Sequence, residues 1–323
     1  MKKTAIKLLQ ILITLLLLAF VFYQVGLFSE SGRSKFMSVL VNVSLPFLLL
    51  SIAVGVLINA SSALKWYMLT RSQNLKASYP RIFAYYLVGQ FYNLFLPTSV
   101  GGDVVRAYEL GKFSGRQADS LASVFVERYT GVLTLLLISG LAILSQVSLI
   151  SVDFVRLSLV VFALGLGFTA WMLFDQRLYR YVRGVFVKRL TFTNKLFNKV
   201  DKLLLAIDSY KQNPSAIVWA FVNSIVFYLI AVLNVLVTAW VFQSDVSLWP
   251  ILIATPIIML IMNVPLSIGN IGLMEFAYTS VFQLMGFDPA LGLSVALLMR
   301  LKSLLDGAMG GLLQPIFVTK KHE

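Results

Sequence analysis

Six charged residues stand inside stretches that are otherwise apolar. Glu127 and Arg128 interrupt the run 120–146, Glu275 follows a stretch rich in proline and glycine, and Arg300, Lys302 and Asp306 lie within 290–318. A charge at the centre of a bilayer costs at least about 2.5–3.5 kcal/mol on insertion scales, so such residues pair, line a cavity or carry function. Arg128 and Arg300 have the chemistry for a phosphate, because a guanidinium offers a fixed charge and a bidentate fork. Asp103 and Arg106 follow another glycine-rich stretch. Their i,i+3 spacing puts them on one face if that stretch is helical. Pinning helices together by ion pairs is the other role open to each of these residues, with pairing expected between the two halves of the chain. Paired carboxylates also suit general acid–base work. Ser99 and Ser267 carry nucleophilic hydroxyls, but neither serine has an obvious base. Gly101-Gly102-Asp103 is not followed by Gly-Lys-Ser/Thr, so it is no Walker-type loop. Neither enzymatic activity nor a cofactor is expected.

Composition says what must position these residues. Of the 323 residues 59% are apolar and 13% charged, against about 45–50% and about 25% in soluble domains. That excludes a soluble globular enzyme and leaves a polytopic helical membrane protein. There is no cysteine, which excludes disulfides, thiolate nucleophiles and cysteine-ligated metals. The one histidine, His322, sits beside the C-terminus. That is a poor place for a metal site or a serine–histidine triad, so no metal is expected. The net charge of +13 reads as basic cytoplasmic loops rather than as a nucleic-acid surface.

Basic residues Lys2, Lys3 and Lys7 precede an apolar run, 8–28, too long for a signal peptide and without a small-residue cleavage site. Further full-length runs cover about 39–64, 120–146, 154–174, 216–242 and 290–318. Each reaches the roughly 20 residues that cross a hydrocarbon core. Two regions break this pattern. Residues 81–119 hold a short apolar run ending at Pro97-Thr98-Ser99-Val100-Gly101-Gly102-Asp103; residues 248–287 are split by Asn263-Val264-Pro265-Leu266-Ser267-Ile268-Gly269-Asn270-Ile271-Gly272. Proline removes a donor and glycine frees the backbone, and unwound backbone at membrane depth survives only inside protein or beside a water-filled cavity. Both read as broken, re-entrant hairpins.

The expected fold is therefore all-α and polytopic, with six full transmembrane spans plus two broken re-entrant hairpins, in a single membrane domain covering 1–323. With both termini cytoplasmic in the inner cell membrane, the inner segments carry 21 of the 27 Lys and Arg and the outer ones three, as the positive-inside rule asks. The segment 175–211 places Leu196, Phe197, Val200, Leu203, Leu204 and Ile207 on one helical face and Lys195, Lys199 and Lys202 on the flank. It is either an interfacial amphipathic helix or a connector whose apolar side packs on the protein.

The two breaks also resemble each other. Pro97-Thr98-Ser99-Val100-Gly101 and Pro265-Leu266-Ser267-Ile268-Gly269 share a P-x-S-aliphatic-G pattern, and Ser123-Val124 leads to Arg128 as Ser294-Val295 leads to Arg300. Taking 39–146 as a first repeat and 216–318 as a second, the hairpins enter from opposite faces. That is an inverted repeat, a ground plan of secondary transporters.

The strings Leu96–Arg106, Ala122–Arg128 and Pro265–Gly272 with Glu275 resemble the lysylphosphatidylglycerol synthase transmembrane family, over roughly 5–318. The resemblance implies a flippase-like domain that moves a phospholipid between leaflets. In two-domain relatives a separate soluble domain makes an aminoacylated lipid from charged tRNA. With this chain ending at Glu323, that synthase domain is expected to be absent. The expected substrate is an anionic or aminoacylated phospholipid, or a polyprenyl-linked lipid, with no nucleic-acid partner and an oligomer possible. Arg128 and Arg300 would meet phosphate; Asp103, Glu127, Glu275 and Asp306 would balance those charges or receive a cationic head group, and Arg106 is a further substrate-binding candidate. Ser99, Gly101, Gly102, Ser267, Gly269 and Asn270 would form the hairpin tips. A small-solute or ion-coupled transporter and a membrane-embedded enzyme on a lipid-linked substrate are the alternatives.

Overall fold

A computed structural model of the chain describes residues 2–96, 101–145, 160, 164, 167, 194–264 and 266–317. Among these, every regular element is helical. In chain order the α-helices are α1 (Lys2–Val25), α2 (Glu30–Val41), α3 (Leu45–Ser72), α4 (Tyr79–Phe95), α5 (Gly101–Ser114), α6 (Gln117–Ser145), α7 (Asn194–Asp208), α8 (Pro214–Val241), α9 (Leu248–Met262), α10 (Leu273–Leu284) and α11 (Pro289–Phe317). The expected span 154–174 and most of the connector 175–211 lie outside the described residues.

Among the described residues three helices are long and apolar enough to cross a membrane: Leu45–Ser72, Gln117–Ala142 and Pro214–Val241. They answer to the apolar runs at 39–64, 120–146 and 216–242. The first begins later than expected, because the chain leaves α2 at Asn42 and restarts at Leu45 with Pro46 in the first turn. The missing N–H of a proline is no loss there. Residues 30–41 instead form their own helix, bent 92° from α1. That bend turns on Gly26, whose φ of 75° is left-handed, and on Gly32, where a methyl would collide with the Gly26 carbonyl. Helix α11 has 29 residues. At about 1.5 Å per residue it runs about 43 Å, and it carries Arg300, Lys302 and Asp306 along that length. Helix α9 has only 15 residues, short for a crossing.

Packing divides the chain into two compact units. One holds Met1–Ala63, Pro80–Arg106 and Ile225–Glu323. Its core interleaves Val232 and Leu236 of α8, Ile251 and Ile258 of α9, Tyr278 and Phe282 of α10, and Leu291, Val295 and Met299 of α11. Lipid tails are as apolar as these side chains, so close van der Waals approach and small residues hold such helices together. Gly292 shows the closeness: a methyl there would lie 2.8 Å from the Thr279 Cα of α10. Val21 and Val25 of α1 join Ala290 and Leu293 of α11 in a second cluster.

The other unit holds Leu64–Tyr79 and Ala107–Ser224. Its core sets Ala206, Ile207 and Tyr210 against Leu69, Ala122, Val126 and Ala220, with Leu203 alongside. Leu203, Leu204 and Ile207 of the expected apolar face of α7 thus face protein, while Leu205 beside them is exposed, which favours the connector reading of this segment over the interfacial one. Tyr210 Oη donates to the Leu69 carbonyl at 3.0 Å, and Asn213 Nδ2 to that of Ser72 at 3.3 Å, tying the turn before α8 to the end of α3.

Candidate functional site

The second break is built on left-handed backbone. After α9 ends, a 3₁₀ turn at Ile268–Asn270 leads to α10, with φ of 58° at Gly269, 57° at Asn270 and 79° at Gly272. Glycine and asparagine are the residues that tolerate this region, so the Gly269-Asn270-Ile271-Gly272 string is a backbone requirement. Such a turn takes carbonyls off the helical ladder, and one side chain collects them. Arg300 Nη2 donates to the Asn270 oxygen at 2.9 Å and Nη1 to the Gly269 oxygen at 3.4 Å. Its Nε donates to Glu275 Oε1, and Nη2 also to Glu275 Oε2 at 3.0 Å. Glu275 Oε2 in turn accepts the Gly272 N–H at 2.8 Å, capping α10. Glu275 is 4% exposed, so its charge is compensated by this partner rather than by water.

The first break uses close approach. Residues 97–100, including the expected tip residue Ser99, lie outside the described residues. Where α5 begins, the Gly102 N–H is capped by Asn93 Oδ1 at 2.8 Å. A methyl on Gly102 would run into the Gly89 carbonyl oxygen, so only glycine lets α5 cross α4 here. One turn on, Arg106 Nε donates to Asp103 Oδ1 at 2.9 Å, the i,i+3 pair expected from the spacing. Arg106 is 1% exposed, and its guanidinium carbon lies 5.2 Å from the centre of the Tyr86 ring.

The two breaks meet. A methyl on Gly269 would be 3.4 Å from the Leu94 carbonyl oxygen at the end of α4. Helix α11 closes on the same end of α4: methyls at Gly307 and Gly310 would collide with Leu94 Cδ1 and with the Leu87 carbonyl oxygen. Gln314 Nε2 donates to Tyr92 Oη at 2.8 Å across that contact. Helix α1 flanks the other side, with the Thr14 oxygen 2.9 Å from where a Gly272 methyl would sit. Ser267 Oγ, buried beside the second turn, makes no hydrogen bond among the described residues.

One expectation is corrected by this geometry. The Glu275–Arg300 pair forms within one half of the chain, not between halves, as does Asp103–Arg106, whose i,i+3 spacing predicts it. Arg300 commits four hydrogen bonds to Glu275 and two carbonyls, so it clamps the second break. Arg128, expected inside its span, lies on the exposed face of α6, while Glu127 beside it is buried. Successive helical residues point about 100° apart, and Glu127 shares a face with Ser120, Ser123, Thr130 and Thr134, all buried, whereas Arg128 does not. Both belong to the other unit, where Trp66 Nε1 donates to Ser123 Oγ at 3.0 Å and Lys65 Nζ to Ser224 Oγ at 2.7 Å.

Asp306 is half-buried beside Asn59. Lys302, which is absent from the expected set of site residues, is buried with its Nζ on Ser51, Asn234 and Thr238. The sequence carries a signal for it in polar or small residues at helical spacing. These are Asn234 and Thr238 on α8, and Ser51, Gly55 and Asn59 on α3.

Charged pairs set against interrupted apolar helices, together with three membrane-length helices among the described residues, define an integral membrane protein of the polytopic helical class. Residues 7–310 match the family described as lysylphosphatidylglycerol synthase TM region, and the chain belongs to that family, which makes it a membrane protein related to lipid handling. No curated protein and no solved structure matches it.

Proposed function

We propose that the protein is a lipid translocase that moves a phospholipid or another phosphate-bearing lipid between leaflets of the cell membrane. The observation that carries this reading is the contact of the two breaks, Gly269 against the Leu94 carbonyl. Two interrupted helices meeting in one apolar unit gather polar backbone, and the buried Ser267 hydroxyl beside them makes no hydrogen bond among the described residues, which suits a site for a polar head group. Ser267, Asn270 and the backbone of the second turn are the groups that would touch the head group. Arg300 and Glu275 hold the second turn in shape, and the acyl chains stay in the bilayer.

In this reading six full spans and two hairpins form an inverted repeat, with both termini cytoplasmic. Single cysteines, introduced into a chain that has none, test the topology: Ser114→Cys should label from the cytoplasm and Asp245→Cys from outside. Function is tested in proteoliposomes with tail-labelled phosphatidylglycerol, phosphatidylethanolamine and a polyprenyl phosphate, read by leaflet-selective quenching. At least one probe should equilibrate between leaflets faster than in protein-free vesicles. Failure with all three would sink the translocase reading.

A further inference from the structure

Lys302 stands at the middle of α11 and is 7% exposed. Its three N–H groups go to three neutral oxygens: Ser51 Oγ at 2.8 Å, Asn234 Oδ1 at 2.7 Å and Thr238 Oγ1 at 3.0 Å. Buried ammonium groups are ordinarily paired with a carboxylate. Among the described residues no carboxylate lies within ion-pair distance of this one, and Asp306 acts on it only through longer-range attraction. The charged groups around it are few. Helix α3 contributes no charge between Leu45 and Ala63, and α8 contributes none along its length. On α11, Arg300 is engaged by Glu275, and Asp306 lies one turn beyond Lys302 beside Asn59. Ser51, Gly55 and Asn59 recur every four residues on α3, so one face of that helix lines the whole stretch from the Lys302 ammonium to Asp306. Gly55 lies against the lysine stem, and a methyl there would sit 3.7 Å from Cδ, an ordinary contact.

The socket satisfies the side chain in both protonation states. With three protons on Nζ, Thr238 Oγ1 donates to the Asn234 carbonyl, and Ser51 Oγ lies 2.8 Å from Thr238 Oγ1, within reach to donate to it. If one proton leaves, Nζ keeps two N–H groups for Asn234 and Thr238, and its new lone pair accepts from Ser51 by a turn of one hydroxyl. A fixed structural cation would gain most from a carboxylate; a socket of neutral, rotatable partners suits a group that gains and loses a proton.

We infer that Lys302, with Asp306 as its neighbouring relay, is a proton-binding site that couples the protein's transport cycle to proton movement. The inference rests on the translocase reading and supplies its driving force. One N–H bond forms on Lys302 as it takes a proton from water at one stage of the cycle. The same bond breaks as the proton is released to water on the opposite face at another, so one proton crosses per cycle and no further reactant is consumed.

The test uses the whole chain in vesicles of phosphatidylethanolamine and phosphatidylglycerol, with tail-labelled phosphatidylglycerol as the probe. At one proton per lipid, a gradient of about one pH unit shifts the steady-state leaflet distribution about tenfold, and a protonophore abolishes the shift. Lys302→Met cannot hold the proton and Lys302→Arg cannot release it; both should still equilibrate the probe without a gradient, and neither should show the shift. Equilibration by the wild type with no response to the gradient overturns the coupling and leaves the translocase reading intact. A gradient-driven shift that survives in Lys302→Met also overturns it. If the probe does not move at all, that reading fails for this lipid, and the nitrogen resonance of Lys302 decides, assigned by its loss in Lys302→Met. A change between ammonium and amine positions over the pH range of the gradient supports the site. A resonance that stays at the ammonium position throughout rules it out.

Discussion

Replacing Arg300 by alanine should remove the clamp on the second break, and the loss can be worked from its contacts. The guanidinium neutralises Glu275, which is 4% exposed, and satisfies the carbonyls of Gly269 and Asn270. Breaking a buried ion pair costs about 3–5 kcal/mol. Each carbonyl left dry adds about 1–3 kcal/mol where water cannot reach, and these terms overlap because one side chain serves all three groups. A net loss of about 3–5 kcal/mol is expected for Arg300→Ala. Glu275→Gln should cost less, since the amide oxygen still accepts from Gly272 or Arg300 while the guanidinium charge loses its counterpart. Arg300→Lys should fall between, because an ammonium lacks the planar fork that reaches a carboxylate and two carbonyls together. The assay is reversible denaturation in mixed micelles, run as a double-mutant cycle on Arg300→Ala and Glu275→Gln. A coupling energy of about 1 kcal/mol or more is expected for groups in such contact. Single variants within about 0.5 kcal/mol of wild type, with no coupling, would mean that Arg300 is not a clamp. Its guanidinium would then be free for a ligand.

Gly102→Ala should disrupt the crossing of α4 and α5, since its methyl meets the Gly89 carbonyl oxygen and backbone must move; a folded yield and melting point equal to wild type would contradict this. Tyr210→Phe should cost about 1 kcal/mol through the lost bond to the Leu69 carbonyl, without altering the expected transport. Burial also raises the pKa of the Tyr210 hydroxyl above its ordinary range, so the bond persists into alkaline solution, which ultraviolet titration of the phenol would check. Asp288 accepts the Ala290 N–H at 2.8 Å and pairs with Lys35. Asp288→Ala should therefore cost about 1 kcal/mol as a lost helix cap. Burial opposes its ionisation, but the Lys35 contact and the Ala290 N–H outweigh that and hold its carboxyl below the ordinary 3.8. A depressed folded value means that this stability is present above the unfolded value and lost as pH falls through the folded one. The gap between wild type and Asp288→Ala, measured by denaturation, should close only below about pH 4.

The apolar spans are legible in the sequence because a row of roughly 20 apolar residues fits little besides the depth of a bilayer. The breaks are legible because proline and glycine mark where a helical ladder stops, and the Asp103–Arg106 pair because a helix brings i and i+3 together. The partner of Arg300 is not. Glu275 lies 25 residues away on another helix, and the two meet only after Gly269, Asn270 and Gly272 have turned the chain left-handed. The outward face of Arg128 is legible only from polar residues: Ser120, Ser123, Glu127, Thr130 and Thr134 form a stripe at helical spacing along α6, all buried, and Arg128 lies off it. Lys302 reads in the sequence as one more charge in a span; its partners are neutral and leave no charge pattern to match.

The shared P-x-S-aliphatic-G pattern hides two different physical solutions. Gly269 is required by a left-handed φ of 58°. Gly101 sits at the start of α5 without a positive φ, packed on the Leu96 side chain, and Gly102 next to it is fixed by the approach of the Gly89 carbonyl. One break is therefore a turn whose freed carbonyls are collected by a charged pair between helices. The other is a helix start capped by the Asn93 amide against a crossing backbone. What the two copies hold in common is the end result, polar backbone brought to one place beside Leu94. A substitution that damages one break should then not predict the effect of its counterpart in the other: Gly269→Ala strains φ in a turn with 3.4 Å of room, whereas Gly102→Ala keeps a permitted φ and collides.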